Sequence, residues 1–383
     1  MWFRNDLRMD DNPALRNACI EFDEVHAIYI FSSKQNDLHN EANCKIEFVI
    51  ENLKNLDKKL SKINIPLTVI DSEGFDDNSD IILNLVKERS FNKVFWNNQF
   101  GKDEQKRDEL VIRSFQKNNI KFSSYEEKVF YTPGSIRTGE DKPYSVFTPF
   151  KKKWIENFTL DLLDIEFKYI AKKKPSLRSN VTEFDFKFNR NHSVDMSIWP
   201  SGESSAKDRL ELFLDKNILR YSQDRNDPII DGTSRISPYL ANGVISPKRC
   251  ILEALKINNF ELDSGEKGIT KWIDEIIWRE FYKNIMYSFP KVSQNKPFQD
   301  YTNNIKWRYE KSELDDWKNG NTGFPIIDSA MRQLKQEGWM HNRLRMVVAM
   351  FFTKNMLHDW RIGEEFFMQN LIDGDFSSNN GGW

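Results

Sequence analysis

Cysteine and histidine are both scarce in this chain: three cysteines (Cys19, Cys44 and Cys250) and five histidines in 383 residues. No two cysteines form a CxxC pair, and no histidines take an HExxH or comparable ligand spacing. That excludes a disulfide framework and a recognisable zinc site, and isolated thiols fit a reducing compartment. Long hydrophobic runs are missing as well. The longest, Met346 to Phe352, falls far short of the ~20 apolar residues that a bilayer crossing needs. The N-terminus holds Arg4, Asp6, Arg8, Asp10 and Asp11 where a secretory signal would be apolar. A cytoplasmic chain with no membrane partner is expected.

Aromatic residues, by contrast, are plentiful. They make up 13% of the chain and include eleven tryptophans, nine of them beyond residue 150. Most tryptophans fill cores, but this many points to a flat π-ligand or a redox role. The net charge of -2 hides an asymmetry. Residues 1–100 carry 12 Lys+Arg against 17 Asp+Glu, whereas residues 101–350 carry 42 against 36. The basic excess of the second region permits nucleic-acid contact.

At this length two domains are expected. The first 130 residues alternate short β-branched or aromatic runs with amphipathic stretches. His26–Phe31, Pro66–Ile70 and Lys93–Trp96 read as buried strands, with Trp2–Phe3 as the tail of a short first strand. Residues 42–61, 78–89 and 103–118 read as helices between them. This pattern predicts an α/β domain over 1–130, a doubly wound parallel sheet with helices on both faces. No GxGxxG follows the first strand, which argues against a conventional dinucleotide site there. Residues 131–203 read as an interdomain connection, with polar, weakly periodic sequence from 151 and basic runs at Lys151–Lys153 and Lys172–Lys174. From 204 to 383 strand signals give way to helices, including long apolar periodicities at Ile269–Phe289 and Pro325–Leu357. Ser237–Pro238 and Ser246–Pro247 read as serine caps with proline at the first helical position.

Three segments of this all-α half carry possible chemistry. DGTSRISPYL gathers Thr233, Ser234 and Ser237 at a helix entrance, where hydroxyls and free N–H groups suit phosphate oxygens. KWIDEIIWREFY sets Glu275, Trp278 and Arg279 on one helical face, with Trp272 one turn earlier. Taken alone, that face reads first as a surface Glu275–Arg279 pair over core tryptophans. A ligand with N–H or hydroxyl donors would also account for the carboxylate. In GWMHNRLRMVVAMFF, Asn342, Arg343, Arg345 and Met346 open an otherwise apolar helix, and Arg345 has Asp373 or Asp375 as candidate partners. The final DGDFSSNNGGW reads as a turn at Asn379, Asn380, Gly381 and Gly382.

WFRNDLRMDDNPAL, GTSRIS, WIDEIIWREF, WMHNRLRM and LIDGDFSSNNGGW, in this order and over essentially the whole chain, resemble the photolyase/cryptochrome family. The resemblance implies FAD, one per chain, in the helical domain. Tyr221, Thr233, Ser234, Ile236 and Ser237 would lie around its phosphates and ribityl chain. Trp272, Glu275, Arg279, Asn342, Arg345, Asp373, Asp375 and Asn379 would line the rest of the cofactor or the cavity above it.

Within the family the chain resembles class I cyclobutane pyrimidine dimer photolyases most. It has Asn342 and Met346 where (6-4) enzymes have a histidine pair, and RLRM where DASH-type sequences contain glutamine. It has the amide of Asn379 near flavin N5 where plant cryptochromes have aspartate. The resemblance implies light-driven electron donation from reduced FAD to a dimer flipped from damaged DNA. Glu275, Trp278, Met346 and Asn379 would be catalytic, and Arg225, Glu275, Trp278, Arg279, Asn342 and Arg343 would contact DNA. Trp307, Trp360 and Trp383 would relay electrons to photoexcited flavin. A monomer is expected.

Gly101 stands where folate-type antenna enzymes carry glutamate, and Gln294 where a basic or otherwise different residue is usual. A folate antenna is therefore not expected, and a second chromophore stays open. Both ends are shorter than in relatives, so the chain is read as truncated, with an incomplete helical domain. The alternative to repair is an FAD-binding light sensor of the cryptochrome type. A flavin-free helical DNA-binding protein leaves GTSRIS and DGD unexplained.

Overall fold

A computed structural model describes residues 1–165, 171–173 and 175–383. Lys174, the end of the second basic run, lies outside them. Five strands form one parallel sheet: β1 Trp2–Phe3, β2 Ala27–Phe31, β3 Leu67–Asp71, β4 Lys93–Asn97 and β5 Lys121–Tyr125, in the order β3-β2-β1-β4-β5. Neighbouring side chains on a strand point to opposite faces. Phe3, Ala27, Leu67, Val69 and Phe95 accordingly enter one core, while Trp2, Ile28, Val94 and Trp96 enter another. Helices α1 (Pro13–Glu21) and α3 (Asn43–Ser61) cover the first face. Helices α4 (Asn78–Arg89) and α5 (Lys102–Lys117) cover the second, and the short α2 (Ser33–Leu38) follows β2. The sequence reading misses β5. KFSSY is a half-exposed edge strand, so it lacks the apolar run that marks the buried strands.

The connection is more structured than its composition suggests. Lys151–Lys153 lie inside a helix, α6 (Phe147–Glu156), which buries Phe150 and Trp154 and pairs Lys151 with Asp274 at 2.5 Å. Further on, Asn180 hydrogen-bonds both backbone groups of Val69, at 2.7 and 2.9 Å, and so shields the β3 edge.

The second half is helical: α7 Glu203–Lys216, α8 Tyr221–Asp224, α9 Ser237–Ala241, α10 Pro247–Ile257, α11 Lys267–Ser288, α12 Lys311–Asn319, α13 Pro325–Glu337, α14 Asn342–Met350, α15 Trp360–Met368 and α16 Phe376–Gly382. Ser246 caps α10 as expected, accepting from the Arg249 N–H at 2.9 Å. Ser237 does not cap α9. Ile236 holds that position, and the Ser237 hydroxyl accepts from the Trp339 indole N–H at 3.3 Å. The single periodicity over Pro325–Leu357 is two helices, broken at Gly338 (φ 63) and ending in a π-helical turn over Phe351–Asn355.

Two features join the halves. The inner core of the sheet continues into the helical half, so that Phe3 and Phe48 share one hydrophobic cluster with Phe213, Tyr239, Trp272 and Trp339. Arg8, 1% exposed, donates to Asp11 (2.5 Å), Glu127 (2.5 Å) and the Gly243 carbonyl (3.1 Å). Gly243 has φ 65 and lies so close to the Asn5 and Asp6 backbone that no side chain fits. The charged N-terminal motif is therefore an interdomain staple.

Candidate functional site

Helix α11 forms the spine of the site. Its Trp272 indole donates to the Ser234 hydroxyl at 3.3 Å and packs on Phe213, which fixes the GTSRIS loop against the helix. Glu275 does not pair with Arg279. It takes the Arg225 guanidinium as its ion-pair partner, and Arg225 also covers the Tyr221 ring at 5.3 Å. Arg279 donates to the Lys128 carbonyl at 2.7 Å and so holds the start of the connection. Trp278 stays half-buried, with the Phe147 ring parallel to it.

The two remaining motifs of the helical half converge on α14 and α16. Arg345 binds both Asp373 oxygens, at 3.0 and 2.8 Å, and the Met340 carbonyl at 2.8 Å. Of the two candidate carboxylates, Asp373 is thus its partner. Asp375 pairs instead with Lys283 at 2.7 Å and caps α16 through the Ser378 N–H. Burial alone would raise the Asp375 carboxyl, but Lys283 and Arg279 outweigh it and hold the group well below the usual carboxylate range. Asn342 and Met346 stand exposed one turn apart on α14. Arg343 is anchored by Asn226 at 2.8 Å.

Asn379 donates to the Glu364 backbone carbonyl (2.9 Å) and carboxyl (3.2 Å), while its own oxygen accepts from the Trp383 indole at 3.2 Å. The NNGG segment is helical rather than a turn. Gly381 is required because the Tyr282 ring lies where a Cβ would be, so the glycine lets α16 approach α11.

Trp383 packs on Phe367 and Phe352, and Phe352 stacks on the buried His358. A backbone bridge between Arg308 and His358 brings the segment of Trp307 beside that of Trp360, whose ring lies under Arg361.

These residues fit a flavin dinucleotide. The buried Nε2 of His341 and Nδ2 of Asn380 have no hydrogen-bond partner among the described residues. His341 Nδ1 accepts from the Arg343 N–H, which leaves Nε2 as a donor. Burial, then Arg343, Arg235, Arg345 and Arg225, push its pKa down and keep the ring neutral. The two motifs WMHNRLRM and SSNNGGW thus each leave a buried donor for an acceptor-rich ligand.

A cavity of about 520 Å³ lies between the halves, lined by Gly101, Glu104, Lys128, Lys283, Gln294 and Asp375 among others. The carboxylate that position 101 lacks comes from Glu104, which fills the space a side chain at Gly101 would take. Lys128 is 9% exposed and its ammonium makes no hydrogen bond among the described residues. Burial brings its pKa down to about 7. The cleft therefore suits a ligand that has both an N–H edge and an acidic group.

Neither Glu104, Lys128 nor Glu364 was singled out from the sequence, because ordinary surface composition gives no signal of burial. Glu364 is 5% exposed, and burial raises its carboxyl to about 7. A carboxyl raised on folding contributes stability fully present below about pH 4.5 and lost as pH rises through about 7. Glu364→Gln is thus expected to remove up to about 3 kcal/mol of the fall in stability between pH 5 and 8. Urea titrations at several pH values check this. The equally raised Glu280 accounts for a slope that persists.

The sequence matches two family profiles, "DNA photolyase" over residues 1–170 and "FAD binding domain of DNA photolyase" over residues 272–383. The deoxyribodipyrimidine photo-lyase of Buchnera aphidicola subsp. Acyrthosiphon pisum is 37% identical over 384 residues, covering all of this chain and 79% of that protein. The Escherichia coli K12 enzyme of the same name is 35% identical, over all of this chain and 80% of its own length. Among solved structures, a class III photolyase from Agrobacterium tumefaciens superposes with a TM-score of 0.86 at 29% identity, over all of this chain and 78% of that one. Full-length likeness at this level, with an FAD-binding profile on the half that carries the unpaired His341 and Asn380 donors, means that the chain belongs to the DNA photolyase family.

Proposed function

We propose that this protein is a deoxyribodipyrimidine photo-lyase that uses light and one FAD to split cyclobutane pyrimidine dimers in DNA. The observation that carries this reading is the end-to-end match to photo-lyases at up to 37% identity. When bound and reduced, FAD supplies the electron that opens the cyclobutane ring and recovers it afterwards.

The protein's own residues bind and orient. The hydroxyls of Ser234 and Ser237 accept from tryptophan indoles, so their own protons are free for phosphate oxygens, with Thr233, Ile236 and Tyr221 shaping the same wall. Trp272 holds that wall in place. Arg345 and Asp373 form the ion pair beside the ring system, Asp375 fixes the start of α16, and Asn379 presents an amide already oriented by Glu364 and Trp383. Glu275 accepts from N–H groups of the lesion, Trp278 offers an indole face, and Met346 and Asn342 pack beside it. Enzymes that work on a base, photolyases among them, take it out of the stack. Arg225, Arg279 and Arg343 serve the phosphates around the flipped dimer.

Residues 1–130, 131–203 and 204–383 act as antenna domain, connection and catalytic domain. The interdomain cleft offers Glu104 and Lys128 to a second, light-absorbing ligand. No helix of the described residues is long and apolar enough to cross a membrane. The reading is completed by a monomer working in the cytoplasm.

Light-dependent loss of thymine dimers from an irradiated oligonucleotide, assayed with the flavin-loaded protein, tests this function; loss that is equal in the dark refutes it. Trp307, Trp360 and Trp383 are assigned to flavin photoreduction, not to repair. Trp360→Phe is expected to slow photoreduction severely while leaving repair by chemically pre-reduced protein near the unmodified level. Equal loss of both would overturn that assignment.

A further inference from the structure

One face of the Trp278 indole is covered by a residue of the connection. Phe147, the first residue of α6, has its ring centroid 3.8 Å from that of Trp278 and its plane within 8° of parallel. That is a face-to-face overlap at van der Waals separation, which covers one face of the indole. Tyr282 and Phe281 touch the same indole, tilted by 32° at 5.5 Å and edge-on by 83° at 5.6 Å.

Helix α6 is itself fastened to α11 on both sides of this stack. One turn before Trp278, Asp274 takes Lys151 at 2.5 Å. One turn after it, Phe281 meets Phe150 at 5.2 Å, and the neighbouring Glu280 accepts from the Trp154 indole at 3.1 Å. Glu280 also accepts from the N–H groups of Phe130 and Tyr131, at 2.9 and 3.0 Å, which anchors the chain leading to α6. The Phe147 ring therefore sits on a helix locked at two further points, while Trp278 remains half-buried.

We infer that Phe147 is a positioning residue for damage recognition: its ring holds the Trp278 indole in the plane that receives the pyrimidine dimer. The inference rests on the reading of Trp278 given above. An indole backed only by aliphatic carbon would turn about its side-chain torsions, and the lesion would have to order it on binding. Ordering one such side chain weakens affinity by about two- to tenfold. Undamaged duplex, which places no base against Trp278, escapes this cost.

The test compares flavin-loaded wild type, Phe147→Leu, Phe147→Tyr and Trp278→Leu. Fluorescence anisotropy reads their binding to a duplex with one thymine dimer and to the same duplex without it. Phe147→Leu is expected to bind the dimer duplex about two- to tenfold more weakly and the undamaged duplex as wild type does, with unchanged flavin absorption. Phe147→Tyr, which keeps the ring, restores dimer affinity. Wild-type dimer affinity in Phe147→Leu, equal weakening toward both duplexes, or failure of Phe147→Tyr to restore binding would each overturn the inference. Trp278→Leu separates the two levels. If it leaves damage discrimination intact, the assignment of Trp278 falls and this inference with it. If it abolishes discrimination while Phe147→Leu keeps wild-type dimer affinity, the role of Phe147 alone falls.

Discussion

Replacing Arg8 by methionine is expected to destabilise the fold by about 3–5 kcal/mol, the usual cost of removing one partner from a buried ion pair. Methionine keeps most of the side-chain length but leaves the carboxylates of Asp11 and Glu127 facing each other's surroundings without a cation. The Asp11 and Glu127 side chains are each about 2% exposed, so water cannot take over. Burial already raises the Glu127 carboxyl even with Arg8 in place. Asp11 is further committed to the Ser246 hydroxyl, so its displacement also disturbs the cap of α10. Urea unfolding followed by circular dichroism measures the effect as a shift in midpoint. A change below about 1 kcal/mol, the scale of an exposed pair, would show that the staple holds nothing together.

Arg345→Met is expected to cost the protein its flavin. The Asp373 side chain is 3% exposed and Arg345 is its ion-pair partner, so the substitution strands a buried carboxylate in the wall of the proposed cofactor site. A penalty of about 3–5 kcal/mol, if borne by the flavin-binding state, corresponds to a loss of about two to four orders of magnitude in affinity, at about 1.4 kcal/mol per tenfold. Local order suffers as well, because the same guanidinium holds the Met340 carbonyl just before α14. Flavin absorbance after gel filtration reads the result. The double variant Arg345→Met with Asp373→Asn removes the stranded charge and is expected to regain part of the flavin. Full retention by Arg345→Met alone would separate this ion pair from cofactor binding.

The sheet and most of its helices were legible because each carries a period set by burial. The stretches 42–61 and 78–89 predict helices that form as Asn43–Ser61 and Asn78–Arg89, and HAIYIF and KVFW predict strands that form as Ala27–Phe31 and Lys93–Asn97. Edge strand β5 and helix α6 were not legible, since half-exposed elements lose the contrast between faces. The site was legible as motifs but not as pairings. Spacing along α11 suggested Glu275 with Arg279, yet tertiary structure brings Arg225 from fifty positions away. Ser237 looked like a cap and instead serves Trp339. Gly381 looked like turn chemistry, and its smallness is used for helix packing against Tyr282. In each case the local rule was sound, and a partner remote in sequence decided the outcome.

The hydrophobic cluster that joins the sheet to the helical half also constrains how the protein is made. Phe48 meets Tyr239 edge-on at 5.3 Å, and a chain growing at about 5–20 residues per second needs roughly 10–40 s to extend from one to the other. Through that interval the side of α3 that meets the helical half lacks this partner and presents Phe48 to the surroundings of the ribosome. Synthesis, rather than the finished molecule, is where this architecture is most exposed to aggregation. A nascent chain stalled before residue 239 should therefore recruit hydrophobic-binding chaperones that one stalled well beyond it does not.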